Sequence, residues 1–271
     1  MTWDGTRTLA IVNQKGGVGR TTTAINLSVA LAELEQRTLV VDLDPQGALS
    51  VGLGIEGAGL ENTVYTAMME PEFNINRVVY PLRPFLDLIP ANIELASAEM
   101  ELIAEIRREY ILQRILDPIA GRYDYILIDC PPSLGLLTIN ALTACDEVMI
   151  PMQCEYFAMR GIRMLLQAID WIKARVNKKL ELGGILVTMY SPGTIHHREV
   201  LEEVRSVFKT KVYKSVIQKS IRFAEASVAS QSLVEYAPGH IGTQSYRALA
   251  EEIVAQRPAG WPGANAKPRG T

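Results

Sequence analysis

The stretch NQKGGVGRTTTAINLS (residues 13–28) decides how the rest of the chain is read. An apolar run, TLAIVN (8–13), leads into it, and beyond it Ala24, Leu27, Leu31 and Leu34 recur at helical spacing. A glycine-rich turn joining a strand to a helix is the setting that a phosphate-binding loop requires. Gly16, Gly17 and Gly19 let the backbone turn tightly and aim its N–H groups inward. The helix start adds the positive end of its dipole, and Thr21 places a hydroxyl where Mg²⁺ is ligated in such loops. Two positions depart from Gly-x-x-x-x-Gly-Lys-[Ser/Thr]: Gln14 stands at the first glycine and Arg20 at the lysine. Taken alone, the glycines also fit a turn that holds no ligand.

Two further segments bear on that choice. VVDLDPQ (40–46) puts Asp42 and Asp44 at the end of an apolar run, and ILIDCPPS (126–133) puts Asp129 at the end of another. A short apolar strand with a terminal Asp is the pattern that sets a carboxylate beside Mg²⁺ in phosphate-loop proteins. An acid at one strand end is often only a turn residue. Three acids on two strand ends, with a glycine loop on a third, point to a shared site, because open α/β sheets bind ligands at those ends.

Working outward, the runs 8–13, 38–44, 85–91, 124–130, 147–152, 183–190 and 212–217 read as strands, most of them apolar on both faces. Amphipathic segments lie between them, including Leu95, Ala98, Leu102, Ile106 and Leu165, Ala168, Ile169, Ile172. This alternation predicts an α/β fold, a doubly wound, mostly parallel sheet with helices on both faces. Residues 52–84 read as an irregular excursion with a short helix around Thr63 to Met69. Residues 1–256 are expected to form a single domain, and the Pro/Gly-rich 257–271 a disordered tail.

Composition narrows the function. The chain has 271 residues, 48% of them apolar, enough for a substantial core. A net charge of −3 gives no global sign of nucleic-acid binding, so any DNA contact needs a local basic patch. Cys130, Cys145 and Cys154 form no CxxC pair and suit buried, reduced thiols of a cytosolic protein. No apolar run reaches membrane-span length, and MTWDGTRT (1–8) does not read as a signal peptide.

The segments NQKGGVGRTTTAINLSVALA, LVVDLDPQGALSVGLG, YDYILIDCPPSLGLLTINALTACDEVMIPMQCEYFAMRGI and IRFAEASVASQSLVEYAPG together closely resemble the ParA/Soj-type partition ATPases of the MinD/ParA class, from about Thr8 to Ala255. The resemblance implies a P-loop NTPase fold and a dimerising switch that binds ATP and Mg²⁺ and hydrolyses slowly. In that class the loop begins with a signature lysine, here Lys15, so Gln14 is no defect. Lys15 would reach the phosphates held by the other subunit of a homodimer. Lys15, Gly16, Gly17, Val18, Gly19, Arg20, Thr21 and Thr22 would line the phosphates, and Gln218 would lie near the adenine. Thr21 would ligate Mg²⁺ and Asp129 would hold it through water; Asp44 would position the attacking water, and Asp42 would act structurally or from behind the groups that contact the metal. Pro131, Pro132 and Ser133 would form the turn that senses the nucleotide.

The family's function would follow: sequence-independent DNA binding and chromosome or plasmid segregation with a ParB-like partner, in the cytoplasm and on the nucleoid. Positioning of another cargo, or a hydrolysis-impaired regulator, are the alternatives. A MinD-type membrane attachment is disfavoured, because the expected basic amphipathic C-terminal helix is replaced by the Pro/Gly tail. GTP is disfavoured because NKKL (177–180) lacks the Asp of a guanine-reading motif.

Three departures from the family pattern stand out. Arg20 replaces the usual lysine, keeping the charge but exchanging a compact ammonium for a planar fork. The expectation is that ATP still binds, more weakly, while hydrolysis is slow or absent. In MYSPGTIHH (189–197) a Pro192–Gly193 turn replaces an arginine associated with DNA, beside His196 and His197, which read as surface residues. Gln218 replaces a usual proline. The candidate DNA surface is Arg198, Arg205, Lys209, Lys211, Lys214, Lys219 and Arg222, with Lys219 and Arg222 the best match; an ordinary solvated charge pattern competes with it.

Overall fold

A computed structural model describes residues 5–56, 59–70, 72–155 and 158–257. Among them, eight strands form one sheet: β1 (Arg7–Ile11), β2 (Thr38–Asp42), β3 (Tyr80–Arg83), β4 (Leu86–Ile89), β5 (Tyr125–Asp129), β6 (Glu147–Gln153), β7 (Glu181–Tyr190) and β8 (Val212–Gln218). Their spatial order is β3-β4-β2-β5-β1-β6-β7-β8, and every pairing is parallel except β3 with β4. The helices are α1 (Arg20–Glu33), α2 (Ala48–Gly52), α3 (Val64–Met69), α4 (Leu95–Glu101), α5 (Ile111–Ala120), α6 (Leu136–Ala144), α7 (Ala158–Arg175), α8 (Ile195–Phe208), α9 (Arg222–Val228), α10 (Leu233–Tyr236) and α11 (Ile241–Ala255).

The continuous apolar runs become strands because both faces of the sheet are covered. Leu9 and Ile11 of β1 pack into one core with α1 and α11, while Ala10 and Val12 enter the other with α3 to α8. All five residues of β1, of β2 and of β5 are buried. Each fully buried Leu, Ile or Val contributes roughly 1.5–3 kcal/mol of transfer free energy, so these central strands anchor the fold.

Topology places the site. The chain runs from β1 past the position of β5 to build β2, β4 and β3, returns to fill β5, then crosses β1 to continue as β6, β7 and β8. The winding direction therefore reverses beside β1, and the loops after β1, β2 and β5 emerge at one end of the sheet. Such a switch point opens a crevice at the carboxyl ends of the strands.

All seven expected strands and the helix after Thr63 are present. The structure adds β3, which the sequence hid because YPLR is four residues long, carries Pro81 and is only half-buried, as an edge strand tolerates. The stripe from Leu95 to Ile106 is a correction: α4 ends at Glu101, the chain tightens into a 3₁₀ turn at Leu102–Ala104, and Ile106 is 88% exposed. Arg107 at φ 59 then breaks the helical path. Arg257 stands at the expected boundary between domain and tail. Arg257 is held in place, its guanidinium over the Tyr125 ring at 4.3 Å and Nη2 donating to the Asp124 carbonyl at 3.2 Å. Residues 258–271 of the expected tail and residues 1–4 of the N-terminal segment lie outside the described residues. Cys130, Cys145 and Cys154 are buried and unpaired.

Candidate nucleotide-binding site

The loop after β1 takes the backbone path that its glycines permit. Gly17 (φ 73) and Gly19 (φ 87) occupy the left-handed region, where a side chain is strained by roughly 1–2 kcal/mol. Gly19 then opens α1 with no side-chain cap, so the amides of the first turn remain available. Carbonyls of the loop and its approach are held by side chains. Thr188 Oγ1 donates to the Val18 carbonyl at 2.7 Å, and Gln153 Nε2 to the Gly17 carbonyl at 2.8 Å. Arg20 Nη1 donates to the carbonyls of Asn13 at 2.6 Å and Lys15 at 2.8 Å. With these carbonyls engaged, the loop's amides are left for an anion, as in an anion-binding nest.

Asp42 and Asp129 end adjacent strands and stand directly opposite each other in register. Both are buried, yet their surroundings differ. Asp42 accepts from the Ser50 amide at 2.9 Å, the Ser50 hydroxyl at 2.7 Å and the Asp44 amide at 3.2 Å. Burial still pushes its carboxyl up to about 6. Neither oxygen of Asp129 has a hydrogen-bond partner among the described residues. Its pKa is held well above the usual range by burial first and by the Asp42 charge second; the nearby Thr21 hydroxyl and Arg20 oppose that rise without completing a bond. A buried carboxylate with no protein partner, beside a hydroxyl and a second acid, fits a hard, hydrated divalent cation. Asp44 lies half-buried at the mouth, with Oδ1 accepting from the Gln46 amide at 3.0 Å.

On the other side of the start of α1 lies a cavity of about 290 Å³, lined by Gly19, Thr22, Thr188, Met189, Gln218 and Phe223 among others. Its walls are mostly apolar, which suits the flat face of a base, and Gln218 brings an amide with both donor and acceptor. The structure thus gathers the loop, Thr21, Thr22, Asp44, Asp129 and Gln218 at one end of the sheet. Lys15 is turned out of this crevice and forms an ion pair with Glu155 beyond β6, both side chains about half exposed.

Sequence reasoning missed Gln153, Thr188, Glu155, Met189 and Phe223. The signal available was that Gln153 and Glu155 fall within MQCEYF, and Phe223 within IRFAEAS, segments that resemble the family.

The basic candidates separate into groups. Arg205, Lys209 and Lys214 share a groove between α8, β8 and α11 that Glu251 and Glu252 also line. Lys219 lines the mouth of the nucleoside-sized cavity, and Arg222 is paired with Glu225 at 2.7 Å. Arg198 is exposed on α8, and Lys211 donates to the Leu182 carbonyl at 2.6 Å. The Pro192–Gly193 turn forms, and His197 Nδ1 closes it by accepting from the Ser191 amide at 3.0 Å.

A family profile described as an AAA domain (AAA_31) matches residues 6–182. The sporulation initiation inhibitor protein Soj of Bacillus subtilis is 46% identical over 247 residues, covering 91% of this chain and 98% of that protein. The chromosome partitioning protein ParA of Myxococcus xanthus is 43% identical over 249 residues, covering 92% and 88%. A crystal structure of a Mycobacterium smegmatis protein named cobyrinic acid a,c-diamide synthase, with bound ADP and magnesium, superposes with a TM-score of 0.81 at 36% identity, covering 92% of this chain and 94% of that one. With a glycine loop, a terminal Asp on β5 and full-length likeness to Soj and ParA, the chain belongs to the ParA/Soj-type partition ATPases.

Proposed function

We propose that this protein is an ATP-dependent dimerising switch that binds DNA without sequence preference and acts in chromosome or plasmid segregation with a ParB-like partner. The observation that carries the nucleotide half of this reading is Asp129, a buried carboxylate with no protein partner beside Thr21 and an inward-facing loop. Loop amides 16–19 and the first turn of α1 would bind the phosphates, while Thr21 and Asp129 would hold Mg²⁺, Asp129 through water. The metal, when bound, neutralises charge on the transferring phosphoryl group. Thr22 and the Gln218 amide would orient the nucleoside, and Asp44 at the mouth would accept a hydrogen bond from the attacking water. The pocket's apolar walls and the Gln218 amide suit a purine base, and the family likeness points to adenine.

Lys15 would act across the dimer. It is paired with Glu155, so reaching a partner's phosphates requires exchanging one anion for another. That exchange makes dimerisation depend on the phosphates, because a half-exposed ion pair is weak on its own. Sedimentation of the wild type with and without Mg²⁺ and a slowly hydrolysed ATP analogue tests this. The wild type is expected to dimerise only with the analogue, and Lys15→Ala to stay monomeric while still binding it. A wild type that remains monomeric at saturating analogue refutes the switch.

A slow-turnover regulator is the second reading, favoured by Arg20. Its Nε and Nη1 are engaged by main-chain carbonyls, so less of the guanidinium is available to the phosphates than an ammonium at this position would offer. The family's DNA contacts come to this chain through Lys219, Arg222, Arg198 and Arg205, with Lys209, Lys211 and Lys214 near the β8 edge. These side chains supply phosphate contacts without base readout.

A further inference from the structure

The arginine at position 20 does more than keep a positive charge in the loop. Its side chain is 8% exposed and meets three separate segments. Nε donates to the Cys130 carbonyl at 3.1 Å, immediately after Asp129 at the exit of β5. Nη1 donates to the carbonyl of Asn13 at 2.6 Å, where the chain leaves β1, and to that of Lys15 at 2.8 Å, inside the loop. The third nitrogen, Nη2, makes no hydrogen bond among the described residues. One planar group therefore connects the β1 exit, the phosphate loop and the turn that begins at Cys130.

We propose that Arg20 is a positioning residue, a brace that locks the phosphate loop to the Cys130–Ser133 turn before nucleotide arrives. This rests on reading the crevice as the ATP site. The chemistry is particular to arginine. Its donors sit on separate nitrogens of a rigid plane, so Nε serves one strand exit while Nη1 serves another. A lysine offers a single nitrogen and cannot occupy both places at once. Hydrogen bonds from a charged donor to buried carbonyls are among the stronger ones in proteins, and losing one leaves a buried acceptor unsatisfied. The brace thus preorganises the cradle and the metal-side strand end as one unit, which favours binding. It also commits Nε and Nη1 to main-chain carbonyls, leaving only Nη2 for the charge that develops on the phosphoryl group. Loop order and turnover are opposed at this one residue.

Amide hydrogen exchange and steady-state kinetics on the full chain separate these roles, using Arg20→Lys and Arg20→Met. Without nucleotide, Arg20→Lys is expected to speed exchange at residues 13–19 and 130–133 about tenfold, the loss of roughly one charged hydrogen bond, with the β-strand core unchanged. With Mg²⁺-ATP, its KM is expected to rise and its kcat to rise several-fold, a split that simple destabilisation does not produce. Arg20→Met is expected to speed the same exchange and lose turnover. If Arg20→Met does not fold, Arg20→Lys decides alone. Exchange within twofold of wild type in both segments, or a fall in kcat at unchanged KM in Arg20→Lys, overturns the brace. If the exchange responds as expected while the wild type binds no Mg²⁺-ATP, the brace stands and the reading of the site falls.

Discussion

At the crevice, Asp42 and Asp129 are buried side by side, one accepting three hydrogen bonds and the other none. Along β8, Arg205, Lys209 and Lys214 stand in the open, facing Glu251 and Glu252 across a groove. Burial makes the first arrangement expensive, so an unpartnered carboxylate there implies a ligand. Solvent makes the second one cheap, and exposed charges carry little information about what they meet. Within the crevice the contrast sharpens again: Ser50 fixes Asp42 as a structural acid, while Asp129 remains available to a cation.

Among effects that bear on this comparison, the largest tests that internal contrast. Asp129→Asn should raise the Mg²⁺ concentration needed for ATP binding about 10–100-fold, the usual loss when a group that orients a metal's shell is removed. In chelator, the same variant should melt higher than wild type, because an ionisable group whose charged form is penalised by burial is gone. Nucleotide titrations at graded Mg²⁺ and thermal melts in chelator check both halves. A similar loss of Mg²⁺ affinity in Ser50→Ala would erase the distinction between the two acids.

The next effect is on stability. The Asp42 carboxyl is raised to about 6 in the fold, above an unfolded value near 4. The folded state therefore holds more protons, and metal-free stability should fall as pH rises from about 4 through about 6, then level off. For Asp42 alone the span is of the order of 1–3 kcal/mol. Urea unfolding at several pH values should show this decline, with a shallower slope in Asp42→Asn. A wild-type stability that climbs over this range contradicts the burial argument.

The smallest effect concerns the basic surface. Lys219→Ala with Arg222→Ala should reduce the slope of log affinity for DNA against log salt by about 1.8, roughly 0.9 for each phosphate that is no longer neutralised. Arg205→Ala with Lys214→Ala should change it less, because two acids, Glu251 and Glu252, share that groove, whereas Arg222 has Glu225 and Lys219 has no ion pair among the described residues. Fluorescence anisotropy with duplex DNA over a salt series measures both. The reverse ranking would move the DNA surface to the β8 edge.

The same contrast explains what could be read from the sequence. The loop, Thr21 and Asp129 were legible because glycine spacing and a terminal Asp are local signals, and the continuous apolar runs announced a covered parallel sheet. The braces were not. Gln153 reaches Gly17 across 136 residues, Thr188 reaches Val18 across 170, and Glu155 reaches Lys15 across 140. Gln153 and Glu155 fall within a family-like segment, but nothing local ties them or Thr188 to the loop, since only folding brings β6 and β7 beside it. Strand β3 was hidden by Pro81 and by its brevity, and the helix expected to reach Ile106 failed because the apolar spacing continues where packing does not.

Steady-state phosphate release in Mg²⁺-ATP with DNA present, comparing wild type with Asp44→Ala, tests the account most directly. The account predicts measurable turnover in the wild type and a loss of about 100-fold or more in Asp44→Ala, typical when a group that orients or activates a nucleophile is removed, with ATP binding retained. Equal rates in the two proteins would contradict the claim that this strand-end crevice hydrolyses ATP.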